Sequence, residues 1–206
     1  MSLILVIIAG YLLGSLPFSF WLGKLKGVDL RRVGSGNIGA TNLARALGAK
    51  WGLLAFVLDM GKGLLAVILA GFVFTLFKDN VTSLAMLKII GGVMSIFGHN
   101  WSMWIKFKGG KGVATSAGVF LGLAPIPLVL SLVIWIVVFA LYKYVSLASI
   151  IAAISLPIWM LFGIGGKVAL PIIIFSCIVT VLIIIRHRLN IVRLTQGKEN
   201  RFRKHH

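Results

Sequence analysis

The residues best suited to chemistry begin with a polar, glycine-rich stretch between two apolar segments, Val-Gly-Ser-Gly-Asn-Ile-Gly-Ala-Thr-Asn, over residues 33–42. Glycine reaches positive φ at little steric cost, so successive N–H groups can converge on one point and form a nest for an anion. The glycines are Gly34, Gly36 and Gly39, and the side chains that can add hydrogen bonds are Ser35, Asn37, Thr41 and Asn42. The stretch predicts an anion-binding site; a solvated turn between two helices is the alternative.

A short helix is expected directly after this stretch, over residues 43–49. Thr41 or Asn42 would cap its N-terminus. Arg45 would then lie in the first turn, where a cation opposes the helix dipole. Because a bound anion would offset that conflict, the arrangement also favours an anion site.

Two more clusters carry cations and hydrogen-bond donors. One is Lys106-Phe-Lys-Gly-Gly-Lys-Gly112, followed by Thr115 and Ser116, and the other is Arg186-His-Arg-Leu-Asn190, followed by Arg193. Because donors and cations dominate all three clusters, a pocket that they share would bind an anion, and phosphate fits best. The residues expected around that pocket are Ser35, Arg45, Lys111, His187 and Asn190.

Spacing excludes several familiar sites. In Gly109-Gly-Lys111-Gly112 the lysine is followed by glycine rather than Ser or Thr, which excludes a nucleotide P-loop. No Cys or His cluster has metal-ligand spacing, so we expect neither a metal nor a cofactor. Ser35 as a nucleophile would need an adjacent base. Only His99 or His187 could serve, and neither has an obvious orienting carboxylate, so a hydrogen-bonding anchor is favoured over a general base.

The composition indicates an integral membrane protein. The 206 residues are 59% hydrophobic with a mean hydropathy of +1.05, far above an ordinary soluble domain. Only 4 acidic residues stand against 21 Lys and Arg, a formal charge of +17. In a soluble chain this excess would suggest nucleic acid. Here the cations lie in short loops and the tail, so we expect anionic lipid head groups or anionic substrates as partners, and no nucleic acid.

Apolar stretches predict the membrane spans. They cover residues 3–23, 51–77, 83–105, 145–162 and 168–185, together with residues 113–142, which Pro125 and Pro127 interrupt. The second span contains Asp59 and Lys62, which are three residues apart and therefore on one helical face. Since charges inside a membrane usually pair, the two form either a structural ion pair or an anchor that aims Lys62 at an anion.

The positive-inside rule sets the predicted topology. Six basic residues lie in the first loop and seven in the tail, Arg203 and Lys204 among them, so both segments are expected in the cytoplasm and residues 113–142 must cross twice. The prediction is an all-α membrane protein of one domain, residues 1–206, with seven transmembrane helices, the N-terminus outside and the C-terminus cytoplasmic. A helix over residues 113–124 would cover only about 18 Å of a hydrocarbon core of roughly 30 Å. The glycine-rich segment before it would therefore be short or re-entrant at the cytoplasmic face, where irregular backbone must line a cavity.

The motifs together resemble the bacterial PlsY family, the acyl-phosphate-dependent glycerol-3-phosphate acyltransferases. They are residues 34–42 with Arg45, residues 59–63, Gly98-His99, residues 107–115, and residues 186–194 with Glu199. They follow one another in order through nearly the whole chain. One departure is Asn100-Trp-Ser-Met103, where an aromatic-proline pair is expected.

The resemblance implies transfer of a fatty acyl group from acyl phosphate to the 1-hydroxyl of glycerol 3-phosphate, giving lysophosphatidic acid and phosphate. The site would face the cytoplasm from the bacterial inner membrane, amid membrane lipid and with no obligate protein partner. Acyl phosphate is already activated, so proximity and charge neutralisation would carry the reaction, and a substrate phosphate oxygen could accept the hydroxyl proton.

The motifs and the resemblance together give three groups of predicted site residues. The catalytic group is Ser35, Arg45, Lys111, His187 and Asn190. The groups that bind substrate or phosphate are Gly34, Gly36, Asn37, Gly39, Thr41, Asn42, Gly109, Gly110, Gly112 and Thr115. The supporting group is Asp59, Lys62, His99, Arg186 and Glu199, of which Glu199 would tie the tail to a basic partner.

A transporter of phosphate esters is the main alternative, since it would use the same donors and cations. Transporters usually place polar groups near the bilayer midplane and show repeated halves, whereas here the polar groups cluster on one predicted face. A non-enzymatic binder of lipid head groups is a third possibility, which predicts no turnover and tolerance of Lys111→Ala.

Overall fold

The computed structural model describes residues 1–77 and 82–202. Lys78, between the predicted spans 51–77 and 83–105, and Arg203 and Lys204 of the basic tail lie outside these residues. All secondary-structure elements within the described ranges are helices. The all-α prediction is confirmed for this part of the chain.

The chain divides into two compact units, Met1–Leu123 and Ala124–His206. The first contains α1 (Ser2–Ser15), α2 (Phe18–Leu25), α3 (Ala40–Leu47), α4 (Ala49–Phe77), α5 (Leu84–Asn100), a 3-10 turn (Met103–Ile105) and α6 (Val113–Leu123). The second contains α7 (Pro125–Tyr142), α8 (Val145–Leu161), α9 (Leu170–Arg186) and α10 (Arg188–Thr195).

Three of the described helical segments are long and apolar enough to cross a membrane: Ser2–Leu25, which includes the break after α1, Ala49–Phe77 and Pro125–Tyr142. A fourth follows if α9 and α10, which are bent by 59° relative to each other, count as one span. The helices α6 and α8 are apolar but shorter. These helices agree with a protein that crosses the membrane several times, while the total of seven crossings stays a prediction.

The first predicted span, residues 3–23, is not one continuous helix. α1 ends at Ser15 and α2 begins at Phe18. Pro17 lacks an N–H for the helical ladder and disfavours the helical conformation at the residue before it, and Leu16 accordingly has φ −60° and ψ 113°. The break places irregular backbone inside an apolar segment, where its carbonyl groups need partners.

The third predicted span, residues 83–105, also ends early. α5 stops at Asn100, and the Ser102 hydroxyl donates to the carbonyl of Ser15 at the end of α1. Since Ser102 is buried and takes its partner from another helix, the chain leaves the helix here and continues into the 3-10 turn. The hydroxyl of Ser102 thus provides a hydrogen-bond donor for a carbonyl at the break after α1.

The interruption of residues 113–142 predicted at Pro125 is confirmed, whereas Pro127, also predicted to interrupt the segment, lies in the first turn of α7. α6 ends at Leu123, and α7 begins at Pro125. Proline costs little at the start of a helix, because an N–H there would have no partner within the helix. The 11 residues of α6 extend over about 17 Å, short of the roughly 30 Å of a hydrocarbon core.

Glycines bring α6 close to α4 in the first unit. A Cβ at Gly118 would overlap the carbonyl of Met60, and one at Gly63 would overlap the carbonyl of Thr115. Small residues at such positions allow membrane helices to pack backbone against backbone. This contact holds the start of α6, where the second glycine-rich stretch ends.

Candidate active site

The first glycine-rich stretch is fixed by Asn42, whose side chain is buried. Its Oδ1 accepts the N–H of Ser35 at 3.0 Å, and its Nδ2 donates to the carbonyls of Leu30 and Val33, each at 3.0 Å. Both hydrogens of the carboxamide are therefore used inside the loop. Asn42 thus holds the loop in shape and has no donor left for the predicted contact with phosphate.

The predicted nest of N–H groups is not formed as expected. Gly34 and Gly36 have positive φ, 57° and 70°, but φ of Gly39 is −86°. The N–H of Ser35 donates to Asn42, and the N–H of Gly36 donates to the carbonyl of Val33 at 3.0 Å. Because these two groups bond inside the loop, the stretch offers side chains, including half-buried Ser35, more than it offers backbone donors.

The helix after this stretch begins earlier than predicted. α3 spans Ala40–Leu47, with Gly39 as its N-cap and no side-chain cap, so the cap predicted at Thr41 or Asn42 is wrong. The carboxamide of Asn42 bonds to the preceding loop instead, which lets the helix start before it. Arg45 lies in the last turn, where the dipole favours a cation, and the predicted conflict with the dipole is absent.

The second glycine-rich stretch lies against the end of α5. The N–H groups of Gly109 and Gly110 donate to the carbonyls of Asn100 and His99, each at 3.1 Å. Lys111 follows, half-buried, and α6 begins two residues later at Val113. The first N–H groups of any helix lack partners within it and favour an anion there. Lys111 thus adds a cation beside a helix N-terminus.

One hydrophobic core supports both stretches in the first unit. Its buried side chains are Leu30, Ile38, Leu43, Ala55 and Ile105. Ile38 belongs to the first stretch, and Ile105 directly precedes the second. Because the two contribute to the same cluster, the loop that carries Ser35 and the loop that carries Lys111 are held by one hydrophobic core.

Asp59 and Lys62 form the predicted ion pair at 2.8 Å, and each residue is only 2% exposed. The Nζ of Lys62 also donates to the carbonyl of Leu16 at 2.7 Å, and the Ser19 hydroxyl donates to Asp59 at 3.3 Å. Lys62 therefore satisfies the broken backbone after α1. These contacts favour the structural ion pair over a lysine aimed at an anion.

His99 has a carboxylate partner that local sequence patterns did not reveal. Its Nδ1 lies 3.6 Å from Oδ1 of Asp59, so His99 does have a carboxylate neighbour, which was not obvious from the sequence. The two residues are 40 positions apart and meet because α4 packs on α5. The indication available from sequence was that two charges in an apolar span need polar partners. A small cavity lies here, lined by Ser15, Leu16, Pro17, Ser19, Ile38, Asp59, Lys62, His99 and Ser102.

His187 lies in the second unit, between α9 and α10, and is buried. Its Nδ1 is 2.8 Å from the carbonyl oxygen of Ile183. Since a carbonyl only accepts, Nδ1 carries the hydrogen, and in the neutral ring Nε2 is then the acceptor. The backbone carbonyl of Ile183 orients this ring. Arg186, the last residue of α9, is half-buried beside it.

Glu199 ties together three parts of the second unit. Its Oε1 accepts from Ser146 at 2.8 Å and from Asn190 at 2.7 Å, and its Oε2 lies 3.0 Å from Nε of Arg193. Burial tends to raise the pKa of Glu199, but the hydrogen bonds from Asn190, Ser146 and Arg193 outweigh it and lower the pKa below the usual 4.5. Arg193 is the basic partner of Glu199, and Asn190 is oriented by a charged acceptor.

The predicted site residues thus fall into two groups. The first unit holds Ser35, Arg45 and Lys111, and the second holds His187 and Asn190. Their assembly into one pocket stays a prediction. Among the described residues, no group of three His, Cys, Asp or Glu side chains is arranged to hold a metal ion.

Comparison with known proteins gives one consistent family. The profile of the family described as "Glycerol-3-phosphate acyltransferase" matches residues 4–197. Relatives of that name come from Desulforamulus reducens (44% identity over 197 residues, 95% of this chain and 93% of the relative), Prochlorococcus marinus strain MIT 9301 (46% over 200 residues, 96% of each) and Aquifex aeolicus (43% over 202 residues, 98% and 100%).

Two solved structures match the fold over 98% of this chain and 96% of theirs. Both are crystal structures of PlsY (YgiH), an integral membrane glycerol 3-phosphate acyltransferase. The glycerol 3-phosphate form has a TM-score of 0.86 at 40% identity, and the lysophosphatidic acid form has 0.84 at 38%. The chain therefore belongs to the glycerol-3-phosphate acyltransferase family of integral membrane proteins.

Proposed function

We propose that this chain transfers a fatty acyl group from acyl phosphate to the 1-hydroxyl of sn-glycerol 3-phosphate. The products are 1-acyl-glycerol 3-phosphate, which is lysophosphatidic acid, and inorganic phosphate, and the reaction is the first step of bacterial phospholipid synthesis. The two solved relatives support the acceptor and the product, since one was described with glycerol 3-phosphate and the other with lysophosphatidic acid. The motif resemblance supports the acyl-phosphate donor.

The observation that carries the proposal is the place of Lys111. It lies between a loop bonded to the end of α5 and the N-terminus of α6. A phosphate there would gain the lysine charge, the helix dipole and backbone donors together. We assign the phosphate of glycerol 3-phosphate to this place, bound by Lys111, Gly112 and the first turn of α6 up to Thr115.

Ser35 and Arg45 are assigned to the acyl phosphate. Arg45 presents a planar guanidinium that can hold two phosphate oxygens at once, and the Ser35 hydroxyl can donate to the acyl carbonyl or to a phosphate oxygen. Asn42 keeps the Ser35 loop in shape. Gly34, Gly36, Asn37, Gly39 and Thr41 complete that substrate-facing loop.

The proposed chemistry needs no protein base. The 1-hydroxyl oxygen attacks the acyl carbonyl carbon, a tetrahedral oxyanion forms, and the bond from carbon to the phosphate oxygen then breaks. The hydroxyl proton passes to a phosphate oxygen, and phosphate leaves. Lys111 and Arg45 neutralise the developing charges, and a preorganised cation near an oxyanion is a large catalytic term. Holding both substrates supplies the proximity.

His187 and Asn190 are assigned to the glycerol moiety as hydrogen-bonding anchors. The Nε2 of neutral His187 can accept from a glycerol hydroxyl, since its Nδ1 hydrogen is engaged with Ile183. The Asn190 carboxamide is fixed by Glu199. Their joining with Ser35, Arg45 and Lys111 in one pocket is part of the proposal.

We retain the predicted topology as part of this proposal: a single acyltransferase domain over residues 1–206, seven crossings, the N-terminus outside and the C-terminus in the cytoplasm. The basic residues of the first loop, the second glycine-rich stretch and the tail support it by the positive-inside rule. The active site then faces the cytoplasm from the bacterial inner membrane. Both phosphate-bearing substrates can reach it from that side.

A competition assay tests the donor. Purified protein in detergent is given glycerol 3-phosphate with equal amounts of acyl phosphate and acyl-CoA that carry acyl chains of different mass. We expect lysophosphatidic acid to carry the chain from acyl phosphate. Product carrying the chain from acyl-CoA contradicts the proposed donor. If no product forms in detergent, and the protein in sealed vesicles instead moves substrate across the membrane, the transporter is favoured.

A further inference from the structure

Three buried polar residues of the first unit are assigned no contact with substrate by the proposed function. They are Asp59, Lys62 and His99, and none is more than 9% exposed. Asp59 and Lys62 are 2.8 Å apart, and Nδ1 of His99 is 3.6 Å from Oδ1 of Asp59. The Asp59 carboxylate therefore lies between a lysine and one edge of the imidazole ring.

The other edge of the same ring lies against the second glycine-rich stretch. A Cβ built at Gly110 would overlap Nε2 of His99, and the same position is buried. The backbone of His99 also accepts the N–H of Gly110 at 3.1 Å. His99 thus contacts Gly110 with its side chain and its main chain, one residue before Lys111.

We propose that His99 is a positioning residue for the loop that carries Lys111, and that the ion pair of Asp59 and Lys62 fixes its ring. The inference rests on the proposed function, because it deepens the account of the phosphate site. In this account Gly110 must be glycine because His99 fills the space that a side chain would need.

The geometry gives this arrangement a direct consequence. The φ angle of Gly110 lies outside the positive range. Alanine is therefore excluded there by the contact with His99 and not by backbone strain. Shortening the side chain at residue 99 should therefore make room for alanine at residue 110. Asparagine keeps a polar atom near the Nδ1 position, toward Asp59, and removes the Nε2 end of the ring.

The test compares Gly110→Ala, His99→Asn and the double variant in the full-length protein. The readouts are kcat, KM for glycerol 3-phosphate, and binding of glycerol 3-phosphate measured without an acyl donor. Gly61→Ala is the matched control, because a Cβ at Gly61 would have no atom within 4 Å. We expect Gly110→Ala to raise KM about thirtyfold or more, His99→Asn to raise it less than tenfold with little change in kcat, and Gly61→Ala to behave as wild type.

The double variant decides the outcome. We expect it to recover at least about tenfold of the affinity that Gly110→Ala loses, a non-additivity typical of residues in contact. Should Gly110→Ala fail to fold, a double variant that folds and binds supports the same conclusion. A double variant as poor as Gly110→Ala, or worse, in folding or binding overturns the inference. Wild-type protein that binds glycerol 3-phosphate without acyl transfer would instead contradict the proposed function and leave this binding test intact.

Discussion

The Nζ of Lys62, on α4, donates to the carbonyl oxygen of Leu16, 2.7 Å away, at the break between α1 and α2. The same ammonium group is paired with Asp59 at 2.8 Å. A buried cation thus stabilises irregular backbone in an apolar segment, where an unsatisfied carbonyl is costly. The broken first helix depends on a charge from a different helix.

Removing that charge should destabilise the first unit. Lys62→Met leaves Asp59 buried without its cation, and breaking a buried pair from one side costs about 3–5 kcal/mol. Thermal unfolding in detergent should show a clearly lower midpoint, while Lys50→Met, at an exposed position, should not. The double variant Asp59→Asn/Lys62→Met should be more stable than Lys62→Met; equal stability of the two would contradict the ion-pair assignment.

Lys111→Ala should remove the cation from the phosphate site. We expect kcat/KM for glycerol 3-phosphate to fall about a hundredfold or more, with the thermal midpoint nearly unchanged because Lys111 is only half-buried. Lys108→Ala is the control, since Lys108 is an exposed lysine of the same stretch. Similar losses in both variants would indicate a general charge effect rather than a site at Lys111.

These assignments could be predicted from the sequence only in part. The pairing of Asp59 with Lys62 follows from a spacing of three on a helix, and the break at Pro125 follows from a residue with no N–H. Both rules act within one turn of helix, so a single sequence suffices. The contact of His99 with Asp59 depends on how α4 packs on α5, which no local rule gives.

The first glycine-rich stretch shows why the remainder was missed. Asn42 has the chemistry of a helix cap, but its carboxamide bonds to Leu30, Val33 and Ser35 instead. Once that tertiary contact forms, α3 begins at Ala40 and Arg45 moves from the predicted first turn to the last. The sequence predicted that a helix forms here, but the hydrogen bonds of Asn42 to the preceding loop determine where α3 begins.

His187→Gln tests whether the reaction needs a protein base. If the substrate phosphate takes the proton, the variant should lose about tenfold in kcat/KM through a weaker hydrogen bond, and the limb of the pH–rate profile along which activity rises with pH should remain. Leu189→Ala serves as the control, because Leu189 is exposed and lies two residues after His187. Loss of that rising limb, with substrate binding intact, would instead make His187 a general base.

Glu199→Gln should make the stability of the protein less dependent on pH. The pKa of Glu199 is lowered in the folded chain, so its stabilising contribution is complete above the usual 4.5 and is lost as pH falls through the folded value. At neutral pH the variant should unfold at a lower temperature, because hydrogen bonds to a charged group contribute about 1.5–3 kcal/mol.

The difference from wild type should shrink as the pH is lowered below 4.5. Lys198→Gln, an exposed neighbour in the tail, should show no such dependence on pH. A gap between Glu199→Gln and wild type that stays constant at all pH values would show that the carboxylate charge is not what holds the tail.

The stoichiometry of the products tests the central claim most directly. Purified protein in detergent is incubated with acyl phosphate and glycerol 3-phosphate, and inorganic phosphate and lysophosphatidic acid are measured in the same samples. The account predicts one phosphate released for each lysophosphatidic acid formed, with both products reduced by the same factor in Lys111→Ala. Phosphate release that does not require glycerol 3-phosphate, or no lysophosphatidic acid from acyl phosphate, would contradict it.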